Sequence, residues 1–89
     1  MSLFSVVATR EFDLNGFYGE RGHFFKAEKK EDGSYIIHDV LSQGHTIALQ
    51  QKEFENTFAI IEDEAFDRYE KAVQEGDNTE IEAAKQAVI

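Results

Sequence analysis

The chain has 89 residues, with eight Phe, no Trp, no Pro and no Cys, and a formal net charge of −9 at pH 7. That length allows one domain, which buries only about 60–65% of the surface of its extended chain, so the core is small. The lack of cysteine excludes disulfide staples and thiolate metal sites. No apolar run approaches the ~18 residues of a membrane span. The acidic balance disfavours direct DNA or RNA binding, whose affinity comes from cations that displace counterions at the phosphates.

The charge is unevenly spread. Residues 1–61 carry six Lys/Arg against nine Asp/Glu, whereas residues 62–89 carry three against nine. The N-terminal stretch MSLFSVVATREF has neither a basic leader nor a long apolar segment, so it does not read as a signal peptide, and a cytoplasmic setting is expected.

In chain order, Leu3 to Thr9 comes first, with Phe4, Val6 and Ala8 alternating with Leu3, Ser5 and Val7. Apolar on both faces, it predicts a strand covered from two sides. Arg10 to Gly22 follows, with Gly16, Gly19 and Gly22 evenly spaced among polar residues, which reads as a long loop or an irregular hairpin. His23 to Lys30 is a second strand, turned at Glu31-Asp32-Gly33 by chemistry that favours a tight hairpin. Ser34 to Val40 is a third strand, Leu41 to Gly44 closes a second hairpin, and His45 to Gln51 is a fourth. Lys52 to Asn56 reads as one helical turn that carries Phe54 inward, and Thr57 to Ile61 as a fifth strand.

The rest is helical. Asp63 to Gln74 puts Phe66, Tyr69, Ala72 and Val73 on one stripe, with Glu64–Arg68 and Asp67–Lys71 spaced as i,i+4 ion pairs. Gly76 fits a C-cap. Asp77 stands three residues before Glu80, a capping arrangement that opens a second helix through Ile81, Ala84 and Val88. Helices this short are marginal alone, so the first is expected to dock on the strands.

Five strands, a long loop after the first and a helical turn before the last form an order that resembles the SH3-like small barrel over residues 3–61. The resemblance implies a mainly β fold with C-terminal α: a five-stranded SH3-like small barrel (1–61) and an acidic helical tail (62–89) of one or two helices. The chain has neither the ALYDY-type signature nor the Trp of the signalling SH3 domains, so their binding of proline-rich peptides is not carried over. A short barrel with a charged helical tail is also similar to small phage-encoded proteins of unknown role. Fold does not fix function.

Chemistry-bearing residues are few. With a four-residue loop at 41–44, Val40 would face His45 and His38 would face Ile47, leaving His38 and His45 as diagonal neighbours on one face with Asp39 on the other. Two histidines without a third ligand make a poor zinc site, and a register slip of one would separate them. The bland expectation is a His38 partly buried among Ile36, Val40, Ile47 and Leu49. No carboxylate pair is singled out for glycosidase-type chemistry. No serine sits in a GxSxG elbow, and Gly16, Gly19 and Gly22 do not form a phosphate loop. Catalysis, a cofactor and a metal are therefore not expected.

Two surfaces stand out instead. Phe17 and Tyr18 form a glycine-flanked aromatic pair that either presents a contact surface or folds back to cap the strands, and Arg10 and Arg21 bracket the same loop. The acidic run of Glu62, Asp63, Glu64, Asp67, Glu70, Glu75 and Asp77 reads as a solvated helix face or as a dock for a basic surface. Arg68 and Lys71 interrupt the run. The expected function is a small non-enzymatic binding or regulatory protein that contacts another protein through Phe17, Tyr18, Arg21, Asp63, Glu64, Asp67 and Glu70. The alternatives are an acidic decoy that inhibits a nucleic-acid-binding protein, and a self-assembling structural module in which Phe66 and Tyr69 pack across a dimer interface.

Overall fold

Aromatic and β-branched residues build the sheet of this molecule. The computed structural model describes residues 3–39 and 45–88. The strands are β1 (Phe4–Ala8), β2 (Phe12–Leu14), β3 (Phe17–Gly19), β4 (Phe24–Lys29), β5 (Tyr35–His38) and β6 (Thr46–Leu49). Helix α1 (Gln51–Thr57), strand β7 (Phe58–Ile60), and helices α2 (Asp63–Glu75) and α3 (Asn78–Gln86) complete the described residues.

Five strands form one antiparallel sheet in the order β6-β5-β4-β1-β7, and β2 pairs with β3 in a separate hairpin. The fold is thus mixed β with C-terminal helices. Among the described residues β6 and β7 are the two edges of the sheet, and no ladder joins them, so the expected closed barrel is not seen. The physical reason lies in the connection. Helix α1 occupies it and turns Phe54 into the core, stacked on Tyr35 with ring centroids 4.0 Å apart and 5.8 Å from Phe58.

The sheet has a core on each face, which accounts for the double-sided apolar pattern of β1. On one face Val6, Ala8, Phe25, Ala27 and Ile37 pack with Phe12 and Phe17 of the hairpin and with Phe54 and Phe58. On the other, Val7 and Phe24 pack under Phe66 and Tyr69 of α2 and Ala84 of α3. Phe24 and Tyr69 stack face to face, their centroids 4.3 Å apart. Val6, Val7 and Ala8 are all fully or nearly fully buried as a result.

The helical tail therefore docks on the sheet. Its polar latch is Ser5, fully buried, whose hydroxyl donates to Asp63 Oδ1 (2.7 Å) and accepts from Lys26 Nζ (2.7 Å). The same ammonium lies 4.1 Å from the centre of the Phe66 ring. Buried polar groups need such partners, because an unpaired one costs about 1–3 kcal/mol. Gly76 ends α2 in a left-handed conformation (φ 68°), and its amide donates to Ala72 and Val73 carbonyls. Asp77 then caps α3 by accepting from the Glu80 amide at 3.1 Å. Arg68 reaches across to Glu80 of α3 and not to Glu64, the partner its spacing predicts. Val73, placed on the apolar stripe by its spacing, is 38% exposed.

Candidate functional site at the hairpin

The stretch between β1 and β4 is an ordered hairpin. Asn15 and Gly16 have consecutive positive φ values of 55° and 89°, the requirement of a two-residue type I′ turn. The Gly16 amide donates to Asp13 Oδ1 at 3.2 Å, which ties the turn down. Pairing of Phe12 with Gly19, Asp13 with Tyr18 and Leu14 with Phe17 sorts the side chains by face. Phe12, Leu14 and Phe17 share the inward side, and Asp13 and Tyr18 the outward one.

Two buried aromatics anchor the hairpin. The ring centroids of Phe12 and Phe17 lie 5.9 and 5.7 Å from that of Phe25 on β4. Gly19 lets them close: a Cβ there would stand 2.9 Å from Phe12 Cε1 and 3.1 Å from Phe25 Cζ. Phe17 is thus the member of the aromatic pair that folds back. Tyr18 is 73% exposed on a backbone held by its neighbours.

Tyr18 stands between two hollows. One, of about 420 Å³, is lined by Glu11, Asp13 and Glu20 among others. The second, of about 390 Å³, is lined by Glu20, His23, Asp39 and His45. In the second, His23 Nε2 and Asp39 Oδ1 lie 3.9 Å apart, both atoms buried and neither with a hydrogen-bond partner among the described residues. Burial lowers the pKa of His23 below its ordinary value, and nearby Lys85 pushes the same way. Asp39 and Glu20 pull in the opposite direction without reversing the shift.

The histidine register corrects the sequence expectation. His38 pairs with Thr46 and Ile37 with Ile47, and the Asp39 amide donates to the His45 carbonyl at 2.9 Å. His45 therefore faces Asp39, and His38 and His45 lie on opposite faces of the sheet. His38 Nε2 instead lies 3.3 Å from Glu28 Oε1. Val40, expected beside His38, lies outside the described residues, as does the loop through Gly44. Among the described residues, no group of three or more His, Asp or Glu side chains is arranged to hold a metal ion.

The remaining candidate residues separate. Arg21 is exposed but lines a different hollow, with Val7, Ala8, Thr9 and Val88. Asp63 turns to Ser5 and Lys26 in the latch. Glu64 and Asp67 are exposed on α2, and Glu70 is half-buried. Glu20, His23 and Asp39 join Tyr18 at the hairpin, although the sequence did not single them out as partner-binding. The signal available for them was the Asn15-Gly16 dipeptide, which fixes the hairpin and, through its pairing, which side chain points outward.

No helix among the described residues is long and apolar enough to cross a membrane. Comparisons with family models, curated protein sequences and solved structures give no match to this chain.

Proposed function

We propose that this chain is a small non-enzymatic module that binds another protein, with the β2–β3 hairpin as its principal contact surface. The observation that carries the reading is Tyr18: a large aromatic, 73% exposed, on a hairpin fixed from below by Phe12, Phe17 and Gly19. An exposed aromatic on a rigid element loses little entropy on binding, which is why such residues serve as interface anchors. The carboxylates of Glu11, Asp13 and Glu20 border its hollows and favour a partner that presents Lys or Arg there, through charge and contact with the ring face.

We also read the sheet as an opened SH3-like barrel. A hairpin between the first two strands of the sheet, a helix before the last strand and Phe54 packed from that helix against Phe58 support that reading.

The test is quantitative affinity capture from lysate with nuclease present, comparing the unaltered chain with Tyr18→Ala. A partner captured by the first and lost by the second, with both proteins melting at the same temperature, is the expected result. Equal capture by both would place the interface elsewhere.

One observation favours the acidic decoy as a second reading. Arg68, which breaks the acidic run in the sequence, is engaged by Glu80, and so Glu64 and Asp67 face solvent without its compensation. That reading requires partner binding that weakens steeply with salt and on charge reversal at Glu64 and Asp67.

A further inference from the structure

We infer that the outer edge of β7 is a second docking site, which takes as an added antiparallel strand an extended segment of a partner protein with an apolar residue two positions from a Lys or Arg on the same face. Among the described residues, the backbone on that edge is open. Ile61 donates its amide to the Ser5 carbonyl (3.0 Å) and Thr9 donates to the Thr57 carbonyl (2.8 Å). Because bonding groups alternate in direction along an antiparallel strand, Ala59 faces β1, and Phe58 and Ile60 turn their N–H and C=O outward. The Phe58 amide is taken by the Phe54 carbonyl at the end of α1. Among the described residues, both polar groups of Ile60 and the Phe58 carbonyl remain for a partner strand.

The side chains on this edge fit the same purpose. Edge strands are usually protected by Lys, Pro or a bulge, because unpaired backbone invites pairing with other chains. Here β7 instead presents Ile60, 65% exposed. The opposite edge, β6, exposes only Thr46 and Ala48. Just beyond Ile60 stand Glu62 and Glu64, exposed and without a cationic partner among the described residues, whereas Asp63 between them is held by Ser5. Glu62 keeps extended backbone (φ −73°, ψ 145°), which continues the line of the strand. The occupant must therefore offer an apolar side chain to Ile60 and Lys or Arg where it passes the two glutamates. A second copy of this chain fits poorly, as each carries a net charge of −9. Main-chain bonds give such a strand its hold, and side chains its selectivity.

The test is selection of a random library of short linear peptides on the immobilised chain, followed by titration of the commonest selected peptide. The expected peptides carry an apolar residue two positions from a Lys or Arg. Their affinity falls about tenfold or more in Ile60→Lys, and likewise in the Glu62→Lys/Glu64→Lys double variant, but is unchanged in Ala48→Lys on the other edge. Because a variant can also fail by misfolding, amide exchange on the unaltered chain gives an independent reading: peptide binding must slow exchange at Ile60. Four results would overturn the inference: no peptide selected, selected peptides without basic residues, binding that leaves Ile60 exchange unchanged, or binding abolished by Tyr18→Ala. A dimer of the unaltered chain in light scattering, lost in Ile60→Lys, would assign the edge to self-association and also overturn it.

Discussion

Asp39 stands directly across the sheet from His45, its amide donating to the His45 carbonyl at 2.9 Å, and this single pairing decides which histidines can meet. It puts His45 on the side of Asp39 and His23, and leaves His38 on the other with Glu28.

His23 is the group whose titration this arrangement makes consequential. Its folded pKa lies below the ordinary 6.5, mainly through burial, so the unfolded chain holds the proton more readily. Stability must then rise with pH through this window and fall as pH drops below 6.5, until the folded pKa is passed. The expected outcome is a melting temperature lower at about pH 5.5 than at about pH 7.5, with a smaller difference in His23→Gln. Thermal melts of both proteins across that range check it.

Gly19 is required for close approach. A methyl group there would meet Phe12 at 2.9 Å and Phe25 at 3.1 Å, against rings that themselves form the core. Gly19→Ala is expected to cost about 1–3 kcal/mol, as overpacked cores do. Urea denaturation measures it.

Phe54 packs from α1 into the core beside Tyr35 and Phe58. It is 3% exposed and stacked on Tyr35. Phe54→Ala should lose about 3–5 kcal/mol, a large part of the stability of a domain this small. Denaturation followed by near-ultraviolet circular dichroism would show the loss together with the weakened aromatic signal.

The Ser5–Asp63 bond predicts a difference visible only above a certain pH. The Ser5 hydroxyl, and then Lys26, hold the Asp63 carboxyl below its usual 3.8. A carboxylate lowered in this way contributes stability above its unfolded pKa, and loses it as pH falls through the folded value. Asp63→Asn should melt below the unaltered chain at neutral pH, and the two curves should converge in acid below pH 3.8. The neutral-pH gap is expected to be small, because the Asp63 side chain is 69% exposed.

The sequence was most legible where local chemistry determines structure. The Asp32-Gly33 turn forms, with Asp32 accepting from the Ser34 amide at 2.9 Å. Phe54 points inward, Gly76 ends α2, and Asp77 caps α3. The two-faced apolarity of β1 correctly required cover from both sides. Long-range choices were harder to read. The pairing of His38 differs by one residue from that implied by a four-residue loop, and periodicity alone does not fix a hairpin's register. Phe17 and Tyr18 are both aromatic neighbours of glycine, and only the Phe12–Gly19 and Asp13–Tyr18 pairing separates the buried ring from the exposed one. Asp63 and Glu64 look alike in an acidic run, yet the latch takes one and leaves the other, because α2 meets the sheet at Ser5 and Lys26.

The most direct test of the hairpin as the partner-binding surface is site-specific photo-crosslinking in the source cells, with a benzophenone side chain in place of Tyr18, Asp67 or Ile60 in turn. The hairpin reading predicts a discrete adduct with one protein from position 18. No adduct from position 18, while position 67 or 60 yields one, would contradict it.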